Sequence, residues 1–237
     1  MQVIHKTIKW LVLILSVFVI LSFTNKSRKN QIANLNSLVI DYKKFIDNNN
    51  VIKYLTENNF SFDSVLISDI NLVLIEEVLN KHPYIRRAEI YCDQTGNINI
   101  LLNNRIPYVR VIKNSDDFYL DSSMIKLPVS EKYTENVLII TGEFVKSDKK
   151  VKKLINLINN NDFWSSQITQ IHFIDKRDVI LITRVGDQII EFGDLNNPKE
   201  KLDNLNIFYK KVMDVEGWQK YSKISLKFNN QIVCTKK

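Results

Sequence analysis

At 237 residues the chain has room for one or two domains, and 45% hydrophobic with 25% charged residues is globular composition, which excludes a disordered chain. Five Gly, four Pro and two Cys exclude a collagen-like repeat or a disulfide scaffold; three His and two Cys leave little material for a zinc site or a nucleophile–base pair. The net charge of +7 is uneven: Lys6, Lys9, Lys26, Arg28 and Lys29 all precede the first acid, Asp41, leaving 28 basic against 26 acidic residues, without the basic stripe of a nucleic-acid domain.

Residues 10–23 run from Trp10 to Phe23 without a charge. At about 1.5 Å per residue this is short for a bilayer core of about 30 Å, and flanking lysines that snorkel would supply the rest. A cleaved signal peptide is the rival reading, but no small-residue cleavage site follows Phe23. The expectation is an uncleaved transmembrane helix over 10–24, after a cytoplasmic tail over 1–9 and before a polar linker over 25–34. Flanking charge alone does not set its orientation; a short N-terminal tail ordinarily stays cytoplasmic while the large C-terminal part is exported.

The exported part begins with a strand over 35–42. A short helix follows over 51–58, with Asn50 as its cap, then a second over 71–82, where Leu72, Ile75, Val78 and Leu79 keep the helical period until Pro83. His82 at that helix end would suit the dipole as a cation. Residues 88–92 and 98–102 alternate in polarity around a turn at 94–97, which makes a hairpin. The order is β-α-α-β-β over 35–104.

From about residue 105 a second region reads as strands over 108–112, 118–120, 137–141, 168–174, 179–184 and 188–192. A helix over 148–160 carries the stripe Val151, Leu154, Ile155 and Ile158; its lysines Lys149, Lys150, Lys152 and Lys153 read as the wet face, with nucleic acid the less favoured alternative. A second helix opens at Asn197-Pro198-Lys199-Glu200, where a cap, a first-position Pro and a capping-box Glu coincide. The alternation of Ile224, Leu226, Phe228, Asn230, Ile232 and Cys234 reads as one long terminal strand. The fold class is α+β.

Little of this carries reaction chemistry. His172 lies in an apolar strand with no partner placed by a motif, so a structural role is expected. No G-x-G-x-x-G, P-loop or G-x-S-x-G is present. Cys92 reads as a small buried hydrophobe; Cys234 falls in the other domain, so no bond between them is expected. The chain reads as a scaffold, with no cofactor.

Several stretches resemble the FtsQ (DivIB) family of cell-division proteins in its Bacteroidetes-like form. They include Asp69-Ile70-Asn71-Leu72, His82-Pro83-Tyr84-Ile85-Arg86-Arg87, Arg105-Ile106-Pro107-Tyr108, Tyr119-Leu120-Asp121, Leu127-Pro128-Val129, Phe192-Gly193-Asp194-Leu195 and Lys227-Phe228-Asn229-Asn230-Gln231-Ile232-Val233. One departure stands out: the family's usual Gly after Tyr119-Leu120-Asp121 is Met124, so the turn must differ or use Ser122-Ser123. The resemblance implies a transmembrane helix, a POTRA domain over 35–104 and an FtsQ-type β-domain with flanking helices over 105–237. It implies a non-catalytic, single-pass inner-membrane protein of the divisome, periplasmic at the septum, that links early and late division proteins to septal peptidoglycan synthesis. Partners would be the FtsB and FtsL counterparts, other divisome proteins and, through 10–24, the inner membrane; nucleic acid is not among them. FtsB would add a strand to the terminal strand's edge, contacting Lys227, Phe228, Asn230, Gln231 and Ile232; Lys227 would pair with an acid and Phe228 would anchor. Parity leaves open whether Phe228 and Ile232 fill the core instead. The alternative function is a POTRA-containing envelope assembly or secretion component.

Overall fold

The computed structural model describes residues 2–29, 31–62, 65–114, 116–175, 178–229 and 231–237, and the chain divides into two compact units, Met1–Arg105 and Ile106–Lys237. The division falls one residue beyond the expected boundary.

The first unit opens with helix α1, Gln2–Lys29, which contains all of 10–24. It reaches into the expected tail and linker because Gln, Lys, Arg and Ser all tolerate a helix once the apolar run has nucleated it. Between Trp10 and Leu21 its apolar side chains lie open, as with Leu15 and Phe18 at 67% and 72% exposure. Among the described residues no helix is long and apolar enough to cross a membrane.

The remainder of this unit follows β-α-α-β-β: β1 Asn34–Ile40, α2 Asn48–Glu57, α3 Leu72–Asn80, β2 Ile85–Cys92 and β3 Asn97–Asn104, in a sheet ordered β1-β3-β2. β1 runs parallel to β3, and β2 antiparallel to it. The helices close one face through Val51, Leu55, Ile75 and Leu79, each at most 1% exposed. The cap of α2 is Asp47, not Asn50. Asp47 accepts from the Asn50 N–H at 2.8 Å, while the Asn50 side chain accepts from the Asp47 N–H at 3.1 Å, so Asn50 is the other half of a capping box. Asn71 caps α3 by accepting from the Leu74 N–H. His82 is not a dipole-facing cation: its Nδ1 accepts from the Tyr84 N–H at 3.3 Å, Tyr54 packs against it edge-on, and burial pushes its pKa down. Cys92 is half-buried and free, as is Cys234.

The second unit is one nine-stranded sheet. Its strands are β4 Pro107–Lys113, β5 Asp116–Asp121, β6 Lys126–Pro128, β7 Leu138–Gly142, β8 Ile168–Phe173, β9 Val179–Thr183, β10 Ile189–Gly193, β11 Tyr221–Ser225 and β12 Val233–Lys236, in the order β12-β11-β10-β9-β8-β7-β4-β5-β6. Helices α4 Lys149–Asn159, α5 Asp162–Gln167 and α6 Pro198–Phe208 share one core cluster with the buried parity of these strands. Val151, Leu154, Ile155 and Ile158 of α4 and Leu202 and Leu205 of α6 share that cluster with Val109, Ile140, Ile171, Phe192 and Ile224 of the sheet. Tyr108 ties α4 to β4, its hydroxyl donating to Asn156 at 3.1 Å and its carbonyl accepting from Asn159 at 3.0 Å. At Gly142 (φ +84°) a Cβ would sit 2.0 Å from the Phe173 carbonyl oxygen, so a side chain is excluded there.

Several expectations change. β6 and α5 are additional, too short to show a period. Asn197 is left-handed at φ 45° and makes no side-chain cap bond, so the expected capping box is absent although Pro198 does open α6. Met124 itself takes the left-handed conformation, at φ 66°, with Asp121 accepting from the Ser123 and Ile125 N–H groups. His172 is half-buried, its Nδ1 2.8 Å from the Thr141 hydroxyl on the neighbouring strand. The largest change is at the C-terminus. The single long strand is a hairpin, β11 pairing antiparallel with β12 (Ile224 opposite Cys234, Ser225 opposite Val233) around a connection over 226–232.

Candidate partner-binding edge

β11 is held on one side by β10, in parallel register, and on the other by β12. β12 ends the sheet, and no described strand covers its outer side. Its outward N–H and C=O groups are therefore available to an added strand.

Of the expected site residues, Lys227, Phe228, Gln231 and Ile232 lie on the connection and not on a strand. Leu226 anchors it: the side chain is buried and its N–H donates to the Glu191 carbonyl at 2.8 Å. Lys227 is exposed, its ammonium donating to Asp178 at 2.8 Å, which pushes its pKa up. The aliphatic stem passes so close to Gly193 (φ +72°) that a Cβ there would sit 2.9 Å from the lysine Cγ. Phe228 points outward, 53% exposed, while Ile232 is half-buried against the core. The parity question thus divides between them. Gln231 is exposed, and Asn230 lies outside the described residues.

Two hollows flank this connection, and reading parity alone missed both. One of about 310 Å³ lies between Phe228 and the start of α6 at Asn197, Glu200 and Lys201. Its wall is firm, because the Lys201 ammonium donates to the Phe192 and Asp194 carbonyls at 2.9 and 2.8 Å and to the Asp194 carboxylate at 2.8 Å. That contact holds the Asp194 pKa down. The other, about 400 Å³, is lined by Ile207, Phe208 and Val212 beside Ile232. Asn229-Asn230 was the one turn signal that could have exposed the hairpin.

Among the described residues no group of three His, Cys, Asp or Glu could hold a metal ion. Burial raises the Cys234 thiol pKa, against the low value a nucleophilic cysteine needs.

The family model described as FtsQ/DivIB, C-terminal related, matches residues 106–235, nearly the whole second unit and more than half the chain. The chain belongs to the FtsQ/DivIB family. A POTRA-like domain model matches residues 40–103, from the last residue of β1 through both helices and nearly all of the β2–β3 hairpin. No curated protein matches the chain. FtsQ/DivIB proteins are non-catalytic scaffolds of cell division, and division-related membrane proteins. An open strand edge, with one polar and one more apolar hollow beside the adjoining connection, is in keeping with that role.

Proposed function

We propose that this FtsQ/DivIB protein is a bitopic inner-membrane scaffold at the division septum that holds the FtsB–FtsL pair by strand addition to the outer edge of β12. Residues 10–24 cross the membrane with the N-terminus cytoplasmic, and both folded units are periplasmic. In this position the protein links early and late division proteins to septal peptidoglycan synthesis.

One observation carries the reading: β12 ends its sheet with an uncovered side, and exposed Phe228 stands at the mouth of the hairpin beside it. Backbone pairing along β12 supplies affinity, and side chains falling into the hollows beside Phe228 and Ile232 supply specificity. Phe228 is the anchor, with Gln231 and Ile232 along the approach. Lys227 contributes through the ammonium hydrogens that Asp178 does not take. α1 carries the uncharged apolar run in one helix; because that run is short for a span, the crossing draws on snorkelling of flanking lysines and local thinning of the bilayer.

Co-purification of the FtsB–FtsL pair with the full chain tests the proposal, comparing wild type with a chain lacking 233–237 and with Phe228→Ala. Recovery should fall sharply for the deletion and by about tenfold for Phe228→Ala, an anchor worth roughly 1–2 kcal/mol. Undiminished recovery by both variants refutes strand addition here. A fluorescent fusion should form a mid-cell band; an even peripheral ring would favour envelope assembly.

A further inference from the structure

A second surface lies away from the hairpin connection, in the groove between α4 and α6. Its cavity measures about 540 Å³, within the ~300–1,000 Å³ of typical binding sites. The floor is apolar, formed by half-buried Leu157 with buried Trp164 and Leu202. The rim carries Lys149, Lys152, Lys153 and Lys199, with Asp203 the one acid among the lining residues. All four lysines are exposed, and none has an ion-pair partner among the described residues.

This arrangement works against the helix that carries it. The lysines of α4 crowd its N-terminal half, the positive end of the dipole, and its first turn contains no acid. Lys149 lies one turn from both Lys152 and Lys153, so like charges face each other. The single compensating acid is the cap, Asp148, whose carboxylate already accepts from the Lys150 N–H at 2.8 Å. A groove with an uncompensated positive rim on α4, a mixed rim of Lys199 and Asp203 on α6 and an apolar floor complements a ligand that is apolar along its centre and negative on the flank facing α4.

We propose that the α4–α6 groove docks an acidic amphipathic segment of a partner protein. The apolar floor favours polypeptide over nucleic acid: its centre is leucine, and the tryptophan is buried instead of offering a face for bases to stack on. The recessed floor also disfavours a lipid surface, which is met by protruding apolar side chains. At ~1.5 Å per residue the 11 residues of α4 give a trough of about 16 Å, enough for three turns of a docked helix. Contact with this trough is separate from pairing at β12, so either can fail without the other.

The test is fluorescence anisotropy of a labelled peptide of about 15 residues, with Leu at helical spacing on one face and Glu on the other, titrated with the full chain in non-ionic detergent. Saturable binding is expected, weakening as salt rises from about 50 to about 300 mM. Lys152→Glu with Lys153→Glu should weaken it by about tenfold or more, while Lys43→Glu with Lys146→Glu, an equal charge change in exposed loops, should alter it less than about twofold. Lys152→Gln with Lys153→Gln should also weaken binding while leaving the melting temperature unchanged or higher, since it removes repulsion, which separates docking from folding. The proposal is overturned if the peptide does not bind, if charge reversal in the groove leaves binding intact, or if a peptide with Lys in place of Glu binds as well. It is equally overturned if a single-stranded oligonucleotide or anionic vesicles engage these lysines and the peptide does not.

Discussion

Met124 offers a direct test of how backbone conformation and burial divide at one residue. It sits at φ 66°, where a Cβ costs an L-residue about 1–2 kcal/mol. Yet it is only 8% exposed and belongs to the core of the second unit. Met124→Ala removes the buried thioether and keeps the strain, so it should cost about 2–3 kcal/mol. Met124→Gly removes the same side chain and relieves the strain. In an ordinary helix or strand Gly is about 0.5–1 kcal/mol worse than Ala, whereas here it should be about 1 kcal/mol better. The order expected is Met above Gly above Ala. Urea unfolding of the full chain, followed by the fluorescence of Trp164 and Trp218, measures it. In a thermal scan the Gly variant should melt roughly 3 °C above the Ala variant. An Ala variant as stable as the Gly variant would show that the turn relaxes out of the left-handed region, and the reasoning would fail.

Further outcomes follow from the charged and aromatic groups. Because burial holds the folded His82 pKa below its ordinary value of 6.5, the unfolded chain takes up protons first. The first unit should therefore keep its full stability above pH 6.5 and lose some as the pH falls below it; His82→Gln should flatten that slope in urea melts at successive pH values. Asp93 accepts hydrogen bonds from the Thr95 hydroxyl and from the N–H groups of Thr95 and Asn97, which bring its pKa down to about 2. Its support of the β2–β3 turn should be present above its ordinary value and vanish only as the pH falls through about 2, as a carboxyl carbon NMR titration would record. Asp178→Asn should destabilise by less than about 1 kcal/mol, because the pair with Lys227 is about a third exposed, and a thermal melt reads this. Phe228→Ala should change the melting temperature hardly at all, since surface substitutions stay within about 0.5 kcal/mol.

The first unit was legible where local signals agreed with tertiary packing. The stripe Leu72, Ile75, Val78 and Leu79, ended by Pro83, marks α3, and alternation around Gly96 marks the hairpin. Legibility ended where a pattern outlived the structure that made it. Leu226, Phe228, Ile232 and Cys234 keep strand parity straight through a connection that is not a strand, because Leu226 and Ile232 must both turn toward the core to close it. No Gly or Pro interrupts 226–232. Asn197 misled for a related reason: Asn suits a helix cap and the left-handed region alike, and here backbone conformation prevailed. The hollows beside Phe228 and the α4–α6 groove join segments far apart in sequence, which no single-segment period reveals.

The two ends of the nine-stranded sheet are only three and four residues long. Long flat ribbons stack copy upon copy into fibres; so brief a terminus gives an identical molecule few bonds, and a partner that pairs there must draw on side-chain contacts beside it as well. Lys236 within β12 and Lys237 beside it add repulsion toward an identical molecule approaching the same rim, which disfavours stacking of copies through this edge.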